Sequence, residues 1–390
     1  MATGKAKRVV LIFMDWYLPG YKAGGPVRTC VNMVERLRND FDFRIVTRNT
    51  DLNDNQPYSN IKSDCWVVAP DGTPAYYFSD KNLSLRNIKQ IINETRPDVI
   101  HLNSMFSFYF TMAPLLALRN INFDCSVVLG PRGMLSRGAL SIKPLKKKLF
   151  LQAAGLLGLF KNVTWHASTP VEKKEIHSVF GDRVRVLLAI DLAPELKIIP
   201  VPRSKSAGNA NMFFLGRISE VKNLLLNIHI LQKLDPTMNV EFHIYGPVEE
   251  VGYWERCKIE IDRLHPGITV EYKGPLDNAR LKQTLKNYHF LFLLTKNENY
   301  GHAIVESLIE GCPVIISDRT PWRNLAERKA GWDLDLDNTN NIVEVVSYAI
   351  MMNQETYNQW SLKASEMADA IVNNPQSIRD NKNLFEDSTV

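Results

Sequence analysis

The sequence has few cysteines, and none of them are spaced as a pair. Its five cysteines are scattered along 390 residues, and no two of them form a Cys-x-x-Cys motif. A disulfide framework normally has an even number of cysteines, and structural zinc sites use closely spaced ones. The sequence therefore argues against both and favours a reducing compartment.

The chain also lacks a long apolar run. Its first such run, Val9 to Met14, has only six residues before Asp15, which is shorter than the core of a signal peptide. No stretch approaches the roughly 20 apolar residues of a membrane span. The formal net charge of +5 is mild, so a nucleic-acid partner is not indicated. We expect a soluble, cytoplasmic protein.

Short apolar runs alternate with amphipathic segments along most of the chain. Runs such as "RVVLIFM", "DVIHLN", "HFLFLL" and "CPVIIS" are continuous rather than alternating, as in strands that are covered on both faces. This succession builds doubly wound parallel sheets. It occurs twice, before and after a proline-rich linker at 192–211, and a chain of this length normally holds two domains.

The sequence therefore predicts an α/β protein with two facing, doubly wound parallel-sheet domains of the Rossmann-like type and a cleft between them. Residues 1–195 form the predicted N-terminal domain, and residues 196–370 form the predicted C-terminal domain. Residues 371–390 read as a helical segment that can return to the N-terminal domain.

The stretch "TKNENYGHAIVESLIEG" places a polar loop between a buried strand and a helix that Gly311 can cap. The free N–H groups and positive dipole at the helix start suit a phosphate. Glu306, one turn into the helix and on the same face as His302, could accept hydrogen bonds from a ribose. Glu298 could reach a group beyond the phosphate. The alternative is that both glutamates are solvated charges at a helix end.

Two further segments fit an anionic ligand. In "FFLGRISEVKNL", Arg217 and Lys222 follow a buried strand and could neutralise a diphosphate. In "YKAGGPVRTC", Gly24 and Gly25 precede Pro26 at a helix start, and a glycine pair lets the backbone approach a ligand closely. Solvated charges and a plain turn are the respective alternatives.

Together, "AGGP", "GR…K" and "ENYGHAIVE" resemble the retaining glycosyltransferases of family 4 (glycosyl transferases group 1), which have the GT-B fold. The resemblance covers nearly the full length and is most specific in the C-terminal half. It implies that residues 1–195 bind the acceptor and that residues 196–370 bind the nucleotide-sugar donor. It implies that Arg217 and Lys222 hold the donor diphosphate and that Glu306 binds the donor ribose. It also implies that Glu298 contacts the transferred sugar.

The resemblance implies two further groups of donor-binding residues and one absence. The backbone around Asn299, Tyr300 and Gly301 would complete the pocket for sugar and phosphate, beside His302. The loop at Gly24 and Gly25 would close over the phosphates. No metal ion and no cofactor are expected, because enzymes of this family resemble one another in needing none and because the chain is expected to lack the Asp-x-Asp motif that usually binds Mg²⁺ in the other major glycosyltransferase fold.

The acceptor side is predicted from two segments. Family members often carry a second histidine at the position of Asn103, so only His101 of a His-x-His pair remains, and we expect a core His101 that is bonded to backbone. In "GPRGMLSRGAL", Arg132 and Arg137 could meet an anionic acceptor, although surface arginines are the simpler interpretation. The capping box that Thr169 begins is assigned to folding.

Residues 143–162 combine lysines with an apolar helical pattern. Such a segment can lie on an anionic membrane, and it can equally be a buried helix with a solvated lysine edge. Because related enzymes extend lipid-linked sugars, peripheral contact with the inner membrane face is a hypothesis.

The sequence thus predicts a retaining hexosyltransferase that uses a nucleotide sugar and a glycan or lipid-linked oligosaccharide acceptor, in cell-surface polysaccharide synthesis. Two alternatives stay open. One is a non-catalytic protein that binds a nucleotide sugar or a partner. The other is a sugar-nucleotide epimerase, which would need a base able to promote elimination from the donor, and the sequence offers no convincing candidate.

Overall fold

The structure is a computed structural model that describes residues 6–119, 121–141, 144–199 and 201–386. The chain divides into two compact units, which are described separately below. The N-terminal unit comprises residues 1–195 and 374–390, and the C-terminal unit comprises residues 196–373. No described helix combines the length and the apolar composition that are needed to cross a bilayer.

The N-terminal unit contains an eight-stranded sheet with the order β3-β4-β2-β1-β5-β6-β7-β8. All neighbouring strands are parallel except β3 and β4. The strands are β1 (Arg8–Phe13), β2 (Phe41–Arg48), β3 (Trp66–Val68), β4 (Pro74–Phe78), β5 (Val99–Leu102), β6 (Ser126–Leu129), β7 (Val163–Ala167) and β8 (Val186–Leu188).

The helices of this unit follow its strands in the manner of a doubly wound fold. They are α1 (Gly25–Leu37), α2 (Leu85–Thr95), a π-helix (Phe108–Met112), α3 (Ala113–Leu118), α4 (Arg137–Ser141), α5 (Pro144–Leu156) and α6 (Pro170–Phe180).

The C-terminal unit contains a six-stranded, fully parallel sheet with the order β11-β10-β9-β12-β13-β14. Its strands are β9 (Asn209–Leu215), β10 (Asn239–Tyr245), β11 (Ile268–Gly274), β12 (Phe290–Leu293), β13 (Val314–Ser317) and β14 (Gly331–Leu334). Its helices are α7 (Leu224–Leu231), α8 (Val251–Ile261), α9 (Asn278–Leu285), α10 (His302–Ile309), α11 (Thr339–Met351) and α12 (Gln354–Val372).

The last helix, α13 (Pro375–Glu386), belongs to the N-terminal unit. Its Phe385 packs edge-on against Phe41 and Phe43 of β2, with ring centroids 5.3 and 5.7 Å apart. The Asn381 amide donates to the carbonyl of Ile190 at 2.8 Å. These contacts bury one side of the helix against the sheet that the start of the chain forms.

The strand order places a topological switch point in each sheet. In the N-terminal unit the chain runs outward in both directions from the β1–β5 pair, and in the C-terminal unit from the β9–β12 pair. Every residue of β5, β12 and β13 is buried, and none of them is Asp, Glu, Lys or Arg, so the acidic, lysine and arginine side chains near these strands lie in the loops at their ends. Ligands of open α/β sheets bind at the carboxyl ends of the strands beside such switch points.

The prediction of two parallel-sheet α/β domains is confirmed. Three strands were missed: β3, β4 and β14. The helical segment predicted within 371–390 is confirmed by α13. Lys222 lies in the loop before α7, which begins two residues later, at Leu224.

Gly246, at the end of β10, provides a test of the sheet edge. Its φ is 140°, and a Cβ atom there would overlap the carbonyl oxygen of Gly216, at the end of β9. We expect Gly246→Ala to lower the free energy of unfolding by at least about 2 kcal/mol through strain and overpacking. Thermal unfolding measures the loss. Gly252→Ala on α8, where a Cβ meets nothing within 4 Å, is the control, and equal unfolding temperatures for the two variants would contradict the expectation.

Candidate active site

An ion pair lies at the switch point of the C-terminal unit. Lys222, in the loop after β9, contacts Glu298, in the loop after β12, with 2.5 Å between Nζ and Oε2. Both side chains are more than four-fifths buried. The lysine stem runs beside Gly216, because a Cβ on that glycine would lie 3.6 Å from the lysine Cδ. A cation and a carboxylate are thus held at the edge where a ligand is expected.

Hydrogen bonds join the two loops that carry this ion pair. The carbonyl of Val221 accepts from the backbone N–H of Lys296 at 2.8 Å and from the Thr295 hydroxyl at 3.0 Å. The Asn223 amide donates to the carbonyl of Leu294 at 2.9 Å. Because these bonds flank Lys222 directly, its backbone is fixed relative to β12.

Gly301 shapes the start of α10. It caps the helix with φ 86°, a conformation that favours glycine. A Cβ there would lie 2.8 Å from Ile304 Cδ1 and 3.2 Å from Glu298 Cγ. The glycine therefore lets Glu298 fold back against the helix start, where the helix dipole favours an anion.

The residues around Gly301 are held by the following loop. The backbone N–H of Glu298 donates to the carbonyl of Arg319 at 3.0 Å, and the Trp322 indole donates to the carbonyl of Tyr300 at 2.6 Å. The rings of Tyr300 and His302 lie 4.9 Å apart. Glu306, one turn into α10, is partly exposed, as a ligand-contacting carboxylate must be.

Arg217 does not join Lys222 in this arrangement. It forms an ion pair with Glu249, in the loop after β10, and both side chains are about one-third exposed or more. Exposed ion pairs are generally worth no more than about 1 kcal/mol. An anionic ligand at the sheet edge could therefore replace Glu249 as the partner of Arg217 at a small cost in free energy.

The glycine loop of the N-terminal unit takes the predicted form. Gly24 has φ 68° and caps α1, whose first residue is Gly25. Asp51 holds the preceding turn, because its carboxylate accepts from the backbone N–H groups of Tyr21 at 2.9 Å and Lys22 at 3.2 Å. The loop is thus anchored to the chain that follows β2.

Arg132, after β6, is buried rather than on the surface. Its side chain is 5% exposed, and Nη1 lies 2.8 Å from the Asp191 carboxylate. Its Nε donates to Asn103 Oδ1 at 2.5 Å, and Asp191 also accepts from the Thr29 hydroxyl at 2.8 Å. The interpretation as a surface arginine is wrong. The guanidinium links the ends of β5, β6 and β8 to α1.

His101 is buried as expected, but the expected bond to backbone is not formed. Within the part of the chain that the structure describes, neither ring nitrogen has a hydrogen-bond partner. Burial, with the Arg132 guanidinium and the His166 ring nearby, holds the pKa of His101 well below its ordinary value. The ring is therefore neutral. The side chain of Arg137 lies outside the described part of the chain.

Glu172, which completes the capping box that Thr169 begins, does more than cap the helix. Thr169 caps α6 and accepts from the backbone N–H of Glu172 at 3.1 Å. The fully buried Glu172 carboxylate accepts from the N–H of Gly133 at 2.6 Å and from the N–H of Ser168 at 2.8 Å. It therefore anchors the Arg132 loop as well as the helix.

Sequence reasoning missed Asp15, which follows β1 directly at the switch point. Its carboxylate accepts from the Ser107 hydroxyl at 2.9 Å and lies 3.8 Å from Arg48 Nε. Burial raises the pKa of this carboxyl against the opposing effects of both partners. A carboxylate that directly follows the first buried run was the available signal.

Asp-x-Asp triplets, which bind Mg²⁺ in the other major glycosyltransferase fold, do occur here. The overlapping pair at 333–337 has structural contacts: Asp333 accepts from the backbone N–H of Leu325 at 3.0 Å, and Asp335 from that of Asp337 at 3.1 Å. Among the described residues, no group of three or more His, Cys, Asp or Glu could hold a metal ion. Metal independence stays a prediction.

Two family models match the chain. Residues 199–367 match the family described as glycosyl transferases group 1. Residues 27–125 match the family described as glycosyl transferase 4-like. No curated protein matches the chain.

Solved structures share the fold over nearly the whole chain. Anabaena HepE, solved with UDP and glucose, has 14% identity and a TM-score of 0.71 and covers 97% of this chain and 99% of its own. Sucrose-phosphate synthase from Thermosynechococcus elongatus has 14% identity and a TM-score of 0.71 and covers 98% and 99%. S. aureus TarM, solved with fondaparinux, α-GlcNAc-glycerol and UDP, has 13% identity and a TM-score of 0.67 and covers 97% and 100%. These likenesses identify the fold as GT-B.

The buried ion pair of the N-terminal unit gives a stability prediction. Asp191→Asn leaves the Arg132 guanidinium buried without its counter-charge, which typically costs about 3–5 kcal/mol. The control is Asp42→Asn, because Asp42 forms a pair of the same 2.8 Å length with Arg44 but is more than one-third exposed and should cost at most about 1 kcal/mol. Urea unfolding compares the two variants, and similar losses would show that Arg132 and Asp191 do not act as a buried pair.

Proposed function

We propose that this chain, a glycosyltransferase of the group 1 family, moves a hexose-type sugar from a nucleoside-diphosphate donor to a hydroxyl of a glycan or lipid-linked acceptor. The transfer retains the anomeric configuration and needs no metal ion. One observation supports this proposal above the others. The Lys222–Glu298 pair lies beside the N-terminus of α10, at the switch point of the C-terminal sheet.

We assign each part of the donor, the diphosphate, the sugar and the ribose, to particular residues of the site. Lys222 and Arg217 neutralise the diphosphate, with the backbone of Asn299, Tyr300 and Gly301 and the start of α10 at His302. Glu298 contacts the transferred sugar, and Glu306 the ribose. Preorganised positive charge aimed at a leaving group that gains negative charge is the main electrostatic contribution to such a reaction.

The proton balance does not require a side-chain base. The bond between the anomeric carbon and the diphosphate oxygen breaks, the acceptor oxygen forms the new bond on the same face, and its proton passes to the departing phosphate oxygen. Asn103 cannot serve as a base, because an amide is not basic and its Oδ1 already accepts from Arg132. His101 is buried and serves the fold.

The proposal also covers the nucleotide of the donor and the cellular role of the enzyme. HepE and TarM were both solved with UDP, so uridine donors are the first to test here. We assign the enzyme to cell-surface polysaccharide synthesis at the inner membrane face, with residues 143–162 contacting anionic lipid.

The direct test incubates the protein with UDP-, GDP-, ADP- and dTDP-sugars, with and without EDTA, and follows nucleoside diphosphate by mass spectrometry. We expect slow, EDTA-insensitive release from one donor. Binding without release, with or without added acceptors, would favour the non-catalytic alternative. A new sugar epimer without transfer would favour the epimerase, and no binding of any donor would refute the donor site.

Lys222→Gln tests the proposed charge at the leaving group. We expect the rate of diphosphate release to fall at least about 100-fold, as on removal of one transition-state donor. Lys233→Gln, an exposed lysine after α7, removes the same charge from the same unit and should leave the rate unchanged. An unchanged rate for Lys222→Gln would remove this residue from the mechanism.

Glu306→Gln tests the ribose contact. Because the hydrogen bonds run to a charged carboxylate, their loss should weaken donor binding by about tenfold or more. Calorimetry with the nucleoside diphosphate and with inorganic pyrophosphate separates the roles. Only the affinity for the nucleoside diphosphate should fall. Equal losses of affinity for both ligands would contradict a ribose-specific role.

A further inference from the structure

Side chains from the ends of three neighbouring strands meet at the switch point of the N-terminal unit. Asp15 follows β1, Arg48 ends β2, and Ser107 lies between β5 and the π-helix. The Ser107 hydroxyl donates to Asp15 Oδ1 at 2.9 Å, and Arg48 Nε lies 3.8 Å from the same oxygen. Because β1 lies between β2 and β5, these contacts stand at the sheet edge where a ligand is expected.

The Asp15 carboxylate has an oxygen to offer a ligand. Both of its side-chain partners lie on Oδ1, and no other side chain in the described part of the chain donates to Oδ2. The side chain is 17% exposed, so a ligand can reach it from solvent. A carboxylate accepts hydrogen bonds on both oxygens and donates none. Asp15 therefore suits a ligand that brings hydroxyl groups.

The charges at this point favour a neutral ligand over an anion. Arg48 contacts a second carboxylate, because its Nη1 lies 3.6 Å from Oδ1 of the exposed Asp80. Two carboxylates and one guanidinium leave one net negative charge, which repels an acidic ligand. Arg132, which the sequence suggested for an anionic acceptor, is paired with Asp191. The charged groups at this edge thus favour an uncharged sugar.

An exposed aromatic ring follows Ser107 directly. Phe108, the first residue of the π-helix, is 57% exposed, and its ring centroid lies 5.1 Å from that of Tyr109. The Ser107 hydroxyl, besides donating to Asp15, accepts from the backbone N–H of Phe110 at 3.3 Å, which fixes the start of the π-helix relative to the carboxylate. Such helices are frequent at functional sites.

A pyranose ring matches this combination of groups. The C–H groups on one face of the sugar are apolar and can pack on an aromatic ring, and its hydroxyls can donate to a carboxylate. We propose that Asp15 and Phe108 bind a neutral hexopyranose unit of the acceptor, with Ser107 and Arg48 orienting the carboxylate. That this sugar belongs to the acceptor rests on the proposed function, whereas the sugar site itself does not.

Saturation-transfer NMR of the full chain tests the proposal, with methyl glycosides as probes. The probes are the methyl pyranosides of glucose, galactose and mannose, each paired with the methyl glycoside of its uronic acid. We expect the wild-type protein to bind at least one neutral glycoside and to bind the matching uronic acid at least about tenfold more weakly, because the site carries net negative charge.

Asp15→Asn and Phe108→Leu test the two contacts separately. Asp15→Asn should weaken binding of the neutral glycoside at least about tenfold through the loss of a hydrogen bond to a charged group, and it should reduce the discrimination against the uronic acid. Phe108→Leu keeps an apolar side chain but removes the ring, and it should weaken binding by roughly threefold to tenfold.

Two controls match these variants. Asp42→Asn removes a carboxylate near the opposite end of β2, and Tyr348→Leu removes a half-exposed aromatic ring from α11. Both should bind the glycoside like the wild-type protein. Circular dichroism checks that each variant folds. If Asp15→Asn does not fold, Phe108→Leu decides, because its side chain is mostly exposed.

The results distinguish a failure of the sugar site from a failure of the proposed function. Glycoside binding that both variants weaken, in a protein that turns over no donor, would refute the proposed function and keep the sugar site. Donor turnover by a protein that binds no neutral glycoside would overturn the sugar site alone. So would tighter binding of the uronic acid, or an affinity that either folded variant leaves unchanged.

Discussion

The contact between Lys222 and Glu298 joins the two halves of the C-terminal sheet at the point where its strand order reverses. Parallel strands that are buried on both faces leave only their ends for polar groups. Placing two charges there, mostly out of water, costs desolvation energy. The loop hydrogen bonds of Val221 and Asn223 hold the pair together. A bound diphosphate could replace Glu298 as the partner of Lys222, and Glu298 could then turn to a sugar. The same two side chains thus pair with each other in the free protein and contact the donor in the proposed reaction.

The N-terminal unit also has charged groups at the ends of its strands, but they contact other buried groups of the same unit. Its strand ends are joined by Arg132, which contacts Asp191 and Asn103, and by the Glu172 carboxylate, which holds the same loop. These groups are buried and satisfied by each other, so they fix the edge of the sheet rather than present charge to a ligand. Of the residues that the sequence suggested for the acceptor, Arg132 and Asn103 thus hold the strand ends together.

The sequence predicted local features well and long-range contacts poorly. The β12–loop–α10 unit was evident because an apolar run, a glycine and a helical pattern follow one another within 20 residues. Strands β3, β4 and β14 were missed because none of them has a long continuous apolar run: β3 has three residues, β4 begins at Pro74, and β14 begins at Gly331 and contains Asp333. Arg132 could not be placed because Asp191 is 59 residues away. For α5 the sequence left a surface helix and a buried helix both open, because an apolar pattern does not show which face the fold leaves uncovered.

The central claim is that Lys222 recognises a diphosphate, and calorimetric titration with UDP and UMP tests it most directly. If the claim is correct, the wild-type protein binds UDP at least about tenfold more tightly than UMP, since the second phosphate adds a charge-assisted contact. Lys222→Gln should then lose most of that preference while its affinity for UMP changes little. An unaltered preference for UDP in the Lys222→Gln variant would contradict the account.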